Sequence, residues 1–313
     1  MKKLSKADFK EIQAWMHRNA RPLELALWKF HFEGGSRDAV VAALQYYQNA
    51  DGGFGNALEP DCWNPDSSPY TTLVAINLLR GVGFADMAHP MAQGILRYLE
   101  SGAHRLERGW DFNIPTNNGF AHAPWWTYDD AANATESIGV TAGLAGFILT
   151  HGDRNSTLYA KAMEYAGSLI GRLSEQGQHG DMGVSGYIGL LEDIGLAGLA
   201  GRFDCAFLRQ RLASLVNGAI ERDDSKWLHY CPRPSGFIKS PDSAYYQGNK
   251  EIVDRELDYL IETRPAGGVW GITWSWFENN GKYPKEFAIS ENWWRAAKCI
   301  EHLIFLQNFQ RLD

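Results

Sequence analysis

The sequence is short of cysteine and uses each one singly. Cys62, Cys205, Cys231 and Cys299 stand far apart with no paired spacing. That argues against a disulfide framework and a Cys-x-x-Cys centre, and makes free thiols in a cytoplasmic protein the expectation. No apolar run reaches the ~20 residues that a membrane-spanning helix needs. Charge is not blocked either: no five like charges follow one another, and a formal net charge of −7 with a pI near 5.7 leaves no electrostatic footprint for nucleic acid. The opening MKKLSKADFKEIQAW is basic but has no apolar segment behind it, so no secretory leader is expected. His-Glu-x-x-His, the P-loop, the Rossmann glycine pattern and the Gly-x-Ser-x-Gly elbow are all missing, so neither a metal nor a nucleotide cofactor is expected. Alternating apolar segments with hairpin turns are missing too, which excludes an ordinary β architecture.

What the sequence has instead is helix and aromatic surface. Helical periodicity recurs over 7–18, 21–33, 37–48, 69–82, 89–103, 134–150, 156–174, 186–200, 204–220, 249–262 and 290–309, with room for a short helix at 242–247. The segments are of two kinds. Over 156–174, Leu158, Ala162, Tyr165, Leu169 and Leu173 share a face opposite Lys161, Glu164 and Arg172, and 204–220 and 249–262 follow suit, with Asp204 and Asn249 placed as N-caps. Residues 69–82, 138–150 and 186–200 are apolar or small all round, which predicts burial on every side. The glycines at 139, 143, 146, 189, 195 and 198 lower helix stability by ~1 kcal/mol each, and close packing of crowded helices is the expected reason for them. One helical layer inside another accommodates both kinds. Twelve tryptophans, thirteen tyrosines and fifteen phenylalanines are the one compositional excess, and they predict an aromatic-lined pocket or an unusually aromatic core.

Gln48 to Arg80 is the most informative stretch. A helix carrying Val40, Val41, Leu44 and Tyr47 runs into Asp51-Gly52-Gly53, where a reversal at positive φ is expected at Gly53. An acidic loop follows, and Ser68-Pro69 then reads as an N-cap with proline at the first helical position. DGGFG followed by SPYTTLVAINLL resembles the glycine–phenylalanine turn and proline–tyrosine helix of protein prenyltransferase β-subunits. Gln48-x3-Gly52-x-Phe54 is similar to the QW repeat of squalene and related terpenoid cyclases, with Phe54 in the tryptophan place. The resemblance is confined to this stretch. It implies an all-α fold, an α/α toroid of about six helical hairpins in two concentric rings, here one domain spanning 1–313. Gly267-Gly268-Val269-Trp270-Gly271 echoes the turn, with weaker copies at Gln176–Gly183 and Arg108-Gly109-Trp110.

Four groups could carry chemistry. Glu59, Asp61 and Asp66 lie in the loop after the turn and read either as acids for proton donation or as solvated loop acids and caps. His122, Trp125, Trp126, Asp129 and Asp130 form a second cluster, read as a ligand site by cation–π or stacking contacts or as a loop plugging the core. Trp270, Trp274, Trp276, Trp293 and Trp294 crowd the C-terminal third beside Glu278 and Glu291; Trp274 and Trp276 alternate, and Trp293-Trp294 is expected to open the last helix after a Ser290 cap. Glu192 and Asp193 interrupt an otherwise apolar helix, where burial would raise a carboxyl pKa toward the general-acid range or an ion pair would hold it. The resemblance brings none of its families' metal or acid signatures. There is no Asp-x-Asp-Asp; Asp129-Asp130-Ala131-Ala132-Asn133 only approximates a magnesium motif; and Asp61-Cys62 and Asp204-Cys205 lack the spacing of a zinc pair. The reading is therefore a small-molecule protein handling an isoprenoid in an aromatic-lined cavity. Asp61, Glu59, Asp130 and Glu192 are its candidate acids, and His122, Trp125, Trp126, Trp274 and Trp293 its candidate binding residues. An oligosaccharide-active enzyme and a non-catalytic binding scaffold of the same fold are the alternatives.

Overall fold

Proline and short polar caps set most helix starts in the computed structural model, which describes residues 2–174 and 177–313. The Gln176–Gly183 echo thus begins outside the described residues. The chain divides into two compact units, residues 1–44 with 216–313 and residues 45–215. Regular structure among the described residues is helical apart from one two-stranded ribbon.

The first unit holds α1 (Lys6–Asn19), α2 (Pro22–Phe32) and α3 (Arg37–Leu44). The central unit holds α4 (Pro69–Gly81), α5 (Pro90–Ser101), the ribbon β1 (Arg105–Leu106) with β2 (Gly109–Trp110), α6 (Asp130–His151), α7 (Thr157–Ser174) and α8 (Gly183–Leu196). Helix α9 (Cys205–Ala219) runs through the boundary. The first unit resumes with the single-turn α10 (Pro234–Phe237), α11 (Lys250–Thr263), the single-turn α12 (Asn279–Lys282) and α13 (Pro284–Asn308). Helix α13 packs on α1, α2 and α11, and Trp28, Trp227 and Trp276 are fully buried in this unit.

In the central unit α6 is the hub, packed against α4, α7 and α8. Its 138–150 stretch has no exposed residue, as the all-round apolar pattern predicts. The α6–α8 contact is close because both sides are bare: a Cβ on Gly186 would lie 2.7 Å from the Gly139 Cα. Helix α4 is nearly as enclosed, with only Asn77 and Gly81 exposed. Its start is as predicted: Ser68 Oγ accepts from the Thr71 amide, and Pro69 occupies the first turn. Asp204 likewise accepts from the Phe207 amide at the head of α9.

Several expectations give way. The 186–200 stretch is not wholly buried: Glu192, Gly195, Leu196, Gly198 and Ala200 are exposed, and α8 is as one-sided as α7. Glycine and alanine commit to neither solvent nor core, so a run of them does not predict burial. Gly189 and Gly195 accordingly have open space around them. Asn249 precedes α11 but makes no side-chain cap; its amide instead donates to Asn217 Oδ1 and the Tyr245 carbonyl and accepts from Arg222. The last helix begins two turns early, at Pro284, so Ser290 is a buried interior residue rather than a cap. The 242–247 segment forms turns, with one 3₁₀ turn at Gln247–Asn249.

The glycine turn also differs in detail. Positive φ falls on Gly52, at 96°, and not on Gly53. Gly53 is required for space: a Cβ there would sit 2.6 Å from Ser67 Cβ and 2.7 Å from the Tyr98 ring. Gly52 lies against α5, where an added Cβ would meet the Gly94 carbonyl oxygen at 2.1 Å. Gln48 fastens the contact by donating to the carbonyls of Gly52 and Met91. In the echo Gly267 also takes positive φ, at 71°, and Val269 and Trp270 are buried much as Phe54 is.

Candidate functional site

The acid loop and the histidine loop of the central unit are joined through their main chains. Cys62 and His122 form an antiparallel bridge, in which the Trp63 amide donates to the Ala121 carbonyl at 2.8 Å and the Ala123 amide to the Asp61 carbonyl at 2.8 Å. Glu59, Asp61 and His122 are all buried, although carboxylates are seldom fully buried without partners. Glu59 Oε1 accepts from the Asp61 amide. His122 is held at both nitrogens: Nδ1 lies 2.7 Å from the Phe120 carbonyl, which can only accept, so Nδ1 carries the proton. In the neutral ring Nε2 then accepts from the Thr127 hydroxyl at 3.0 Å.

Four buried asparagines lock these loops. Asn64 donates to Thr116 Oγ1 and Asn117 Oδ1, and Asn117 donates to the Trp126 carbonyl. Asn133, fully enclosed on α6, accepts from the amides of Phe112 and Asn113 and donates to the Asn113 carbonyl. Asn113 donates to the carbonyls of Trp125 and Thr127. A side-chain amide presents the same donor and acceptor as a peptide group, so each asparagine substitutes for a missing strand partner. Two buried polar atoms are left over, Asn113 Oδ1 and Trp126 Nε1.

Three aromatic rings sit on this frame. Phe112 and Trp126 are stacked at 4.6 Å and 23°, and Tyr70, from the first turn of α4, contacts them at 5.2 Å and 4.5 Å. Trp126 is buried, while its neighbour Trp125 is 37% exposed. Asp111 is buried beside them; burial raises its carboxyl pKa, opposed by the Arg108 guanidinium at 3.2 Å. Arg108 also holds Asp130, 2.7 Å away, in a pair whose carboxylate is largely exposed.

The structure brings Glu59, Asp61, His122, Trp125 and Trp126 into one pair of adjoining loops, with Asp130 at the head of α6 nearby in the chain. Glu192 corrects an expectation: its side chain is exposed on α8, because the all-round apolar reading of that helix does not hold. The protein around its base and the Asp193 charge still raise its pKa. Asp193 is the buried member, paired with Arg80 at 2.8 Å. In the other unit Trp276 is fully buried and Trp274 half-buried; residues two apart share a face of an extended segment, so alternation does not account for the difference. Trp293 lies under the Arg21 guanidinium at 4.8 Å. A surface hollow of about 220 Å³ near them is lined by Glu11, Trp15, Arg18 and Gly267 and includes none of the predicted site residues.

Tyr70, Phe112, Asp111 and the four asparagines were not singled out from the sequence. Their signal was weak: single asparagines in loops read as turn residues. Among the described residues no three His, Cys, Asp or Glu side chains are grouped to hold a metal, and no helix is long and apolar enough to cross a membrane. Compared with known proteins, the chain matches no family model, no curated protein and no solved structure.

Proposed function

We propose that this protein is a terpenoid cyclase- or prenyltransferase-like protein of the α/α-toroid kind, binding an isoprenoid against the Tyr70–Phe112–Trp126 cluster and supporting acid-assisted chemistry from the Glu59–Asp61 loop. The observation that carries the reading is how the polar groups of the site are used. All the side-chain polar atoms of the four asparagines and His122 except Asn113 Oδ1 are engaged by main chain, by one another or by threonine hydroxyls, so they fold the loops rather than recognise a polar ligand. What the frame supports is three touching rings, with buried Asp111 next to Phe112 in the chain and buried Glu59 and Asp61 in the loop paired to His122. Ring faces stabilise carbocations by their quadrupole. A carboxylic acid of the loop would give its proton to an alkene carbon, the π pair forming the new C–H bond and leaving the cation to the rings and the charge to the carboxylate. Asp61 and Glu59 are the assigned acids, with Asp111 a third.

Calorimetry against geranyl, farnesyl and geranylgeranyl diphosphate tests this. Binding is expected in the parent and should weaken by ~1–2 kcal/mol in Trp126→Ala, as for a desolvated cation–π or stacking contact; Asp61→Asn should remove turnover. No heat with any of the three diphosphates retires the isoprenoid reading. One observation favours the carbohydrate-active alternative: Trp125 is exposed beside the exposed Asp129 and Asp130, a ring face with hydrogen-bonding neighbours. Oligosaccharide binding sensitive to Trp125→Ala would establish it.

A further inference from the structure

Helix α13 carries a second constellation that the isoprenoid reading does not use. Trp294, Lys298, Glu301 and His302 follow one another at i, i+4, i+7 and i+8, so they share one face of the helix. Trp274 stands edge-on to Trp294 at 5.3 Å and 83°, and Tyr230 stands edge-on to Trp274 at 6.2 Å and 85°. The rings thus form a corner rather than a stack. Lys298 Nζ lies 5.4 Å from the Trp294 ring and 5.9 Å from the Trp274 ring, and pairs with Glu301 at 2.8 Å. His302 is set edge-on against Trp270 at 5.0 Å.

Unpartnered polar atoms set this face apart. Trp294 Nε1 and His302 Nδ1 are buried polar atoms without a hydrogen-bond partner among the described residues, one on each side of Lys298 along the helix. Such atoms cost free energy unless something satisfies them. The Lys298–Glu301 pair is open to solvent on the Glu301 side, while burial pushes the neighbouring His302 down to about 3.

We infer that the α13 face formed by Tyr230, Trp274, Trp294, Lys298, Glu301 and His302 is a saccharide-binding site for an uncharged sugar. The Lys298 and Glu301 charges cancel and His302 is neutral at physiological pH, so an uncharged ligand fits. The rings offer a face to the C–H side of a pyranose, whose hydrogens carry the positive charge that the π quadrupole attracts. The ion pair offers a charged donor and a charged acceptor at the spacing of vicinal hydroxyls, the stronger class of hydrogen bond. The indole N–H and the imidazole nitrogen lie enclosed behind that surface and would take a partner only where neighbouring side chains part.

The test is a titration of the full chain with maltose, cellobiose, lactose and diacetylchitobiose, read by tryptophan fluorescence and calorimetry. At least one should bind at or below about 10 mM, the weak end for a small ligand. Trp274→Ala and Glu301→Gln should each weaken that binding about tenfold or more, the second guarding against a Trp274 variant that fails to fold. Absence of binding by all four sugars overturns the inference. So does binding that both variants leave intact, or that Trp125→Ala removes instead. Titration with prenyl diphosphates bears on the other site and leaves this result unaffected.

Discussion

The two polar–aromatic regions differ in what their polar atoms face. In the loop pair 59–68 and 111–129, nearly every side-chain amide is turned onto main chain, and the rings rest on that frame. On α13 the charged pair is formed at a solvent-reached surface, while unpartnered buried atoms occur in both regions, at Asn113 and Trp126 in the first and at Trp294 and His302 in the second. The first region is held by its polar groups; the second displays them. Substitutions in the first should therefore act on stability, and substitutions in the second on binding, with little exchange between the two.

The sharpest way to break that contrast is Asn133→Leu. It strands the Asn113 amide and carbonyl, each buried orphan costing ~1–3 kcal/mol, while the Phe112 amide keeps Ser137 Oγ at 3.2 Å, so a loss of ~2 kcal/mol or more is expected in denaturant unfolding. An unchanged midpoint would mean that the loops are held by something else. Gly53→Val comes next, at ~1–3 kcal/mol from overpacking against Ser67 and Tyr98, since no positive φ is involved. Gly53→Ala should reproduce part of that loss, and a neutral alanine variant would show that the neighbours yield.

His302 sharpens the comparison from the other side. Its pKa lies below the ordinary 6.5, at about 3, so the unfolded chain takes up a proton before the folded one does. Its contribution to stability is therefore complete above about pH 6.5 and erodes as pH falls toward about 3. Melting temperatures of His302→Gln should fall less steeply than the parent's across that window, in the field of Lys298, Glu301, Lys239 and Arg233. Parallel slopes would show that His302 does not titrate there. The smallest effect belongs to Lys298→Met, which removes a largely exposed ion pair and should change stability by less than ~1 kcal/mol. A larger loss would place Lys298 in the frame rather than on display.

The all-α class and most helix positions were legible because heptad-like spacing and Ser-Pro or Asp caps are local signals, as at Ser68-Pro69 and Asp204. The enclosure of 138–150 was legible for the same reason. What failed was local evidence asked to decide a tertiary matter. Gly189 and Gly195 read as crowded and are open; Gly53 read as a φ requirement and is a spatial one. Ser290 resembles a cap until Pro284 starts the helix earlier. The acid and histidine loops, assigned from the sequence to one ligand-handling protein, pair their main chains at Cys62 and His122, a contact that no local signal in either loop announces. The asparagine frame beneath them was invisible, since each asparagine's partner is supplied by a distant loop.

Gly52 and Gly94 press backbone to backbone, bridged by Gln48. A side chain at Gly52 could not be accommodated by trimming a neighbour, because the obstacle is the Gly94 peptide group, which every residue has; a Cβ on Gly94 would instead meet the Gln48 amide, 2.5 Å from Nε2. Gly52 is therefore tied to the backbone of the helix beneath it and Gly94 to the side chain of Gln48, although one belongs to the recognisable motif and the other to an unremarkable helix. A remote relative whose DGGFG has worn away should still be traceable by the triplet Gln48, Gly52 and Gly94, and a chain keeping the motif without the third would need a different helix beneath the turn.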